Sequence, residues 1–111
     1  RPWLQQGETF PVSQLKVTPC DEGCVLVQFE DMPENYSEYY VIYRAPKSSQ
    51  RDVIDFNDAA SILDVVGKNK KSLIQHYTDS SANPNQTYTY AVSALSQAQV
   101  ESDPVSVVYV P

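Results

Sequence analysis

Short runs in which apolar and polar residues alternate recur along the chain, and a period of two is the pattern of β-strands with one buried face. The longest run is 87–95, TYTYAVSAL, in which Tyr88, Tyr90, Val92 and Ala94 share one face. Its many β-branched and aromatic residues favour a pleated, half-buried surface. Shorter runs predict six further strands, at 14–18, 24–30, 38–45, 62–67, 73–78 and 105–110.

The segment 46–72 separates the third predicted strand from the one at 73–78, and most of it is polar. Residues 55–62 offer N-cap residues followed by helix formers, which predicts one or two helical turns before the short strand at 62–67. Lysines and acids interleave up to residue 71, so we expect a solvated loop rather than a basic patch. The oxygen-bearing side chains could serve either calcium binding or helix capping, and we prefer capping for Asp52, Asp55, Asn57 and Asp58.

Residues around the longest strand resemble the fibronectin type III family. They are Tyr77-Thr78-Asp79, Pro84, Thr87-Tyr88, Tyr90, Val92 and Ala94, and the later Glu101-Ser102-Asp103-Pro104 is similar to the family's lead into its last strand. This version resembles domains at the C-terminal end of glycosyl-hydrolase-like secreted proteins of bacteria of the Bacteroidetes group. The resemblance implies an all-β, immunoglobulin-like (fibronectin type III) β-sandwich of about seven strands, with 46–72 as an insertion before the Tyr-Thr-Asp strand.

The resemblance places the domain at 13–111 and leaves 1–12 outside it. Residues 1–12 contain two prolines and a glycine without a clean period, which is typical of a linker from a preceding domain. Trp3 and Leu4 are unusually apolar for a free tail. Two interpretations stay open, because these side chains could cover an edge of this domain or dock against a neighbouring one.

The resemblance also implies structural roles for individual aromatic residues. Tyr88 is expected to form a tyrosine corner, its hydroxyl donating to a backbone acceptor near residues 83–85. Phe29 stands where the family usually has a Trp and keeps an aromatic ring in the core. The family's alternation in the third strand divides its side chains into a core face, Tyr39, Val41 and Tyr43, and an opposite face expected to lie under the insertion, Tyr40, Ile42 and Arg44.

The acidic composition narrows the classes of partner. The formal net charge is −6, whereas phosphate contacts need clustered Lys and Arg, so we expect no nucleic-acid partner and no anionic membrane surface. No run approaches the ~18–20 apolar residues of a membrane span. A chain of 111 residues makes one domain, and we expect a monomer.

The two cysteines, Cys20 and Cys24, flank Asp-Glu-Gly. Two thiols are too few for a structural zinc site. If the three residues between them form a hairpin turn, the cysteines face each other at a distance that a disulfide can bridge. A disulfide and two free thiols both stay open, and a disulfide would imply an oxidising compartment.

The sequence does not mark out a catalytic site. His76, the single histidine, lies in a predicted strand without a nucleophile motif around it. Turn acids exposed to solvent explain the carboxylates near the loops, namely Glu22, Glu30, Asp31 and Glu34. We therefore expect no catalytic residue, no metal and no cofactor.

The leading functional hypothesis is a non-catalytic accessory domain of a larger secreted or surface protein that acts on polysaccharide. Its partner would be a neighbouring domain of the same polypeptide, and its location extracellular, cell-surface or periplasmic. The alternative is an independent glycan- or protein-binding module that uses the 46–72 insertion. Trp3, Tyr36 and Tyr40 are the rings that could contact such a ligand, and a hydrolase is the third hypothesis.

Overall fold

The computed structural model describes residues 9–32, 35–46, 54, 56 and 59–111. Within them the chain forms seven strands, and each predicted strand is confirmed to within one residue at either end. Their bounds are β1 Ser13–Pro19, β2 Val25–Glu30, β3 Ser37–Pro46, β4 Ile62–Gly67, β5 Ile74–Asp79, β6 Tyr88–Ser96 and β7 Val105–Tyr109.

The strands form two antiparallel sheets, which confirms the predicted all-β sandwich. One sheet has the order β1-β2-β5 and the other β4-β3-β6-β7. β6 lies in the middle of the larger sheet, where it pairs with β3 along nearly its whole length and with β7 on its other side. The longest alternating run of the sequence is therefore one of the two inner strands of the larger sheet.

The core lies between the two sheets and is built from alternate residues of β2, β3 and β6. Full burial of one Val or Phe side chain stabilises a fold by roughly 1.5–3 kcal/mol, so this layer supplies much of the driving force for folding. Its central members are each at most 5% exposed: Val25, Val27, Phe29, Tyr40, Ile42, Tyr88, Tyr90, Val92 and Ala94.

The two faces of β3 are the reverse of the prediction. Tyr40 and Ile42 point into the core, with 1% and 0% exposure, whereas Tyr39 is 42% exposed. The prediction was wrong because both faces of this strand are apolar, so alternation fixes the period but not which face is buried. The register of β3 also shifts between Ser37 and Tyr39, which moves the strand relative to its neighbour β6.

A second, smaller cluster covers the outer face of β3 and β6. Val41, Tyr43 and Ala91 are buried there against Ile54, a residue of the predicted insertion. Phe56 meets the Tyr43 ring edge-on, with 4.9 Å between ring centroids. The insertion does cover one face of β3, as expected, but that face carries Val41 and Tyr43 instead of Tyr40 and Ile42.

The second half of the 46–72 insertion is part of the sandwich itself. A single 3-10 turn at Ala59–Ser61 leads into β4, which pairs with β3 at the edge of the larger sheet. The strand predicted at 62–67 is thus one of the seven strands. Of the helical turns predicted at 55–62, the described residues show the 3-10 turn at Ala59–Ser61. The four capping or calcium candidates Asp52, Asp55, Asn57 and Asp58 lie outside the described residues.

The chain enters the sandwich before residue 13, within the segment predicted as a linker. Val12 is 4% exposed and belongs to the core. The backbone N–H of Phe10 donates to Asn35 Oδ1, and Asn35 Nδ2 donates to the Phe10 carbonyl, both at 2.8 Å. Trp3 and Leu4 lie outside the described residues. Of the helical structure described, none is long and apolar enough to cross a bilayer.

Candidate functional site

A cleft of about 360 Å³ opens at the end of the sandwich where β2 leads into β3 and β4 into β5. This volume lies within the ~300–1,000 Å³ range of small-molecule sites in proteins. Because three lysines contribute to it, we call it the lysine cleft. Its lining residues are Asp31, Asn35, Ser37, Glu38, Lys68, Lys70, Lys71, Ser72 and Leu73.

A buried carboxylate forms the back of the lysine cleft. Asp31 follows β2 directly, and its side chain is 1% exposed. It accepts hydrogen bonds from Asn35 Nδ2 at 2.8 Å, from the Tyr40 hydroxyl at 2.6 Å and from the Ser37 hydroxyl. Burial alone would raise the pKa of Asp31, but these hydrogen bonds and the charge of Lys68 outweigh it and hold the pKa below its usual value.

Lys68 supplies the counter-charge to Asp31. Its side chain is 10% exposed, and its Nζ lies 3.3 Å from Asp31 Oδ2 and donates to Ser37 Oγ at 2.9 Å. Its backbone N–H donates to the Glu38 carbonyl at 2.9 Å, which fixes the end of β4 beside the start of β3. Since breaking a buried pair leaves one charge unpaired in the interior, both residues have a strong structural role.

The rim of the lysine cleft carries charges that solvent can reach. Lys70 Nζ lies 3.0 Å from Glu38 Oε1, and these side chains are 66% and 34% exposed. Lys71 is exposed and has no ion-pair partner among the described residues. The lining holds three lysines and two carboxylates, so it has an excess of positive charge in a protein whose formal net charge is −6.

A buried glutamine holds the turn that presents these lysines. Gln75 is 4% exposed; its Oε1 accepts from the Asn69 N–H, and its Nε2 donates to the carbonyls of Asn69 and Ser72, at 2.8–2.9 Å. Asn69 Oδ1 in turn accepts from the Lys71 N–H at 3.1 Å. The turn was predicted as a solvated loop, but these bonds fix its backbone at the mouth of the cleft.

A second buried carboxylate lies at the opposite end of the sandwich and has a structural role. Asp79 accepts from Arg44 at 2.8 Å, from the Tyr90 hydroxyl at 2.6 Å and from Ser81. Burial raises its pKa, and these hydrogen bonds and the charge of Arg44 bring the pKa below its usual value. The Arg44 guanidinium also lies 5.0 Å from the centre of the Tyr88 ring, so this network joins β3, β5 and β6.

The Glu-Ser-Asp-Pro lead into β7 also makes structural contacts. The Glu101 carboxylate accepts from the hydroxyls of Tyr43 and Ser93 on the outer face of the larger sheet. Burial and the bond to Glu101 raise the pKa of Tyr43 to about 12. Ser102 exchanges hydrogen bonds with the backbone of Ala94 on β6, through its own N–H and its Oγ, at 2.8 and 2.9 Å.

The residues with predicted structural roles lie away from the lysine cleft. Cys20 and Cys24 are joined by a disulfide that closes the turn between β1 and β2, and so short a loop contributes about 2 kcal/mol on the chain-entropy model. The Tyr88 hydroxyl bonds the backbone within the expected stretch but in the opposite direction, since it accepts from the Asn83 N–H at 2.9 Å. The hydroxyl of Tyr109 makes a similar bond by donating to the Pro84 carbonyl at 2.7 Å.

The two described candidates for ligand-binding rings, Tyr36 and Tyr40, differ in exposure. Tyr36 is 50% exposed and stands between two lining residues, Asn35 and Ser37, but it does not itself line the lysine cleft. Tyr40 is 1% exposed and donates to Asp31, so the prediction that its ring contacts a ligand was wrong. Burial of the hydroxyl and the neighbouring Asp31 charge raise the pKa of Tyr40 well above its usual value.

Sequence reasoning missed the pairing of Asp31 with Lys68. The sequence predicts Asp31 to be a solvated turn acid. The prediction was wrong because the donors to Asp31 lie four to 37 residues away, and the sequence does not show that they converge on it. The signal that could have found it is the group Asp31, Asn35 and Ser37 directly after a buried strand. His76 lies exposed on β5, and no group of metal-ligating side chains occurs among the described residues.

Comparison with known proteins shows the fold and one distant relative. No protein-family model matches the chain. A Bacillus subtilis protein named Glycosyl hydrolase YngK is 30% identical over 105 residues, which cover 91% of this chain and 18% of that protein. The chain thus spans less than a fifth of the length of this relative.

Two solved structures illustrate the likeness of fold. An Fn3-like protein from Clostridium thermocellum matches with a TM-score of 0.58 and 18% identity over 90% of both chains. The pectate lyase PelI from Erwinia chrysanthemi matches with a TM-score of 0.55 and 16% identity over 87% of this chain and 27% of that one. The chain therefore has the fibronectin type III fold.

Proposed function

We propose that this chain is a non-catalytic accessory domain of a larger, secreted or surface-exposed bacterial protein that acts on polysaccharide. The observation that carries the proposal is the match to YngK, which takes in nearly all of this chain but 18% of that protein. A match of this kind is expected when one domain is shared and the rest of the relative lies outside that domain. The module would act as spacer, stabiliser or docking partner, and the reaction would take place elsewhere in the polypeptide.

The state of the buried carboxylates supports the non-catalytic role. A glycosidase needs two acids that face each other across a sugar-holding groove. Asp31 and Asp79 lie at opposite ends of the sandwich, and each is held ionised by several donors from its own fold. Such acids are suited to holding loops and strands together and poorly suited to giving or taking a proton.

The Cys20–Cys24 disulfide supports an oxidising location. An extracellular, cell-surface or periplasmic parent protein would provide that environment and would also meet polysaccharide directly. Location is thus part of the same proposal.

The coding sequence upstream of Arg1 tests the proposal. We expect it to continue into a large domain of the glycosyl-hydrolase type, linked through the segment that contains Trp3 and Leu4. A signal peptide directly before Arg1 together with a stop codon directly after Pro111 would overturn the proposal, because the domain would then stand alone.

An independent binding module is the second candidate, and one observation favours it. The C-terminal end of the 46–72 segment supplies Lys68, Lys70, Lys71 and Ser72 to the lysine cleft. The predicted insertion therefore contributes to the lysine cleft, although Tyr40 is buried and does not face a ligand.

A further inference from the structure

The lysine cleft combines features that a purely structural turn does not need. The Asp31–Lys68 pair at its back is satisfied internally, since Lys68 contacts both Asp31 and Ser37. Lys71 adds nothing to that network and stands exposed at the same opening. The positive charge available to a ligand is therefore on Lys71, and on Lys70 where a ligand anion competes with the exposed Glu38 carboxylate.

The backbone that carries these lysines is fixed before any ligand arrives. Gln75 bonds both ends of the turn, at Asn69 and Ser72. The N–H of Lys68, one residue before Asn69, ties the turn to the start of β3. A site whose backbone is already ordered loses little conformational entropy when a ligand binds. The turn is thus suited to present lysines in a constant geometry.

Apolar surface lies beside the charges. Leu73 lines the cleft and is 54% exposed. A sugar ring combines an apolar C–H face with polar edges, so a ring or an aliphatic side chain next to hydrogen-bonding groups suits it. The cleft volume of about 360 Å³ suits a small ligand or one part of a polymer.

We propose that the lysine cleft binds an anionic sugar unit of a polysaccharide. Lys71 and Lys70 pair with its carboxylate or sulfate group, and Leu73 contacts its ring. The proposal rests on the proposed function, from which it takes the polysaccharide as ligand class, and adds the charge of that ligand and the surface that binds it.

Affinity gels made with polygalacturonate, with dextran sulfate or with neutral dextran test the proposal on the whole 111-residue chain. We expect retardation by at least one of the two anionic polymers and none by neutral dextran. The polymer that retards more strongly distinguishes a carboxylate from a sulfate ligand. Equal mobility in all three gels, or equal retardation by neutral dextran, would overturn the proposal.

A pair of charge-matched variants separates the cleft from general attraction between the chain and a polyanion. Lys71→Gln should weaken binding about five- to tenfold, because it removes a charge-assisted contact. Lys16→Gln removes the same charge from an exposed position on β1, outside the cleft lining, and should leave binding within about twofold of wild type. Similar losses in both variants would show non-specific attraction and overturn the site.

Leu73→Ala tests the ring contact and should also weaken binding without lowering the melting temperature, because this side chain lines the cleft and is 54% exposed. If Lys71→Gln leaves binding unchanged but lowers the melting temperature of the full-length gene product, the cleft contacts another domain and the proposal fails. The accessory-domain proposal fails separately, if the full-length product does not act on any polysaccharide.

Discussion

The two buried aspartates show how the surroundings of a single residue can reverse what its type suggests. An ionised carboxylate in a protein interior is strongly unfavourable unless hydrogen bonds and an opposite charge compensate it. Asp31 has three side-chain hydrogen-bond donors and Lys68, and Asp79 has Arg44, Tyr90 and Ser81. Some of these partners are close in sequence, but the counter-charges Lys68 and Arg44 are 37 and 35 residues away. The sequence therefore reveals the acids but not their burial.

Replacing Asp31 tests whether its charge stabilises the fold. Asp31→Asn should lower the free energy of unfolding by about 3 kcal/mol, since it leaves Lys68 buried without its counter-charge. Lys68→Met should recover part of that loss in the double variant, and urea unfolding of the four proteins gives the coupling. Strictly additive losses would show that the pair does not act as a unit.

Both aspartates should also make the protein sensitive to acid. The pKa of each is lowered in the fold, so their contribution is complete above the unfolded value of about 4 and is lost as pH falls through the folded value. We expect the urea midpoint to fall steeply below pH 4 and to fall less steeply in Asp31→Asn. An equally steep acid dependence in wild type and variant would contradict this role for Asp31.

At the scale of elements, the strands were predictable and the faces of β3 were not. Alternation, β-branched residues and turn residues identify all seven strands, including the edge strand β4 inside a segment predicted to be an insertion. β3 is apolar on both faces because one faces the sandwich core and the other lies under Ile54 and Phe56. Its orientation depends on pairing with β6, which local sequence does not encode.

Neighbouring tyrosines of β3 give a direct test of its orientation. Tyr40→Ala should lower the free energy of unfolding by about 3–5 kcal/mol, because it leaves a cavity in the core and removes a donor to Asp31. Tyr39→Ala, one residue earlier and 42% exposed, should lower it by less than about 1 kcal/mol. Urea unfolding compares the two, and the opposite order would restore the faces expected from the sequence.

At the scale of the whole molecule, the fold brings the β2–β3 and β4–β5 connections, which are far apart in sequence, to the same end of the sandwich. The start of β3 and the end of β4 lie side by side through antiparallel pairing, and this places Lys68 beside Asp31. Residues of the 46–72 segment thereby line the same cleft as residues of the loop after β2 and of the start of β3. Residue types and strand periods predict the sandwich, but the cleft appears only after the sheets are assembled.

The measurement that tests the central claim most directly is the release of reducing ends from a panel of polysaccharides. The full-length gene product, the same protein without residues 9–111, and the isolated chain would be assayed side by side. A non-catalytic accessory domain predicts turnover by the first two proteins and no turnover by the isolated chain. Turnover by the isolated chain would contradict the account and place the reaction within this sandwich.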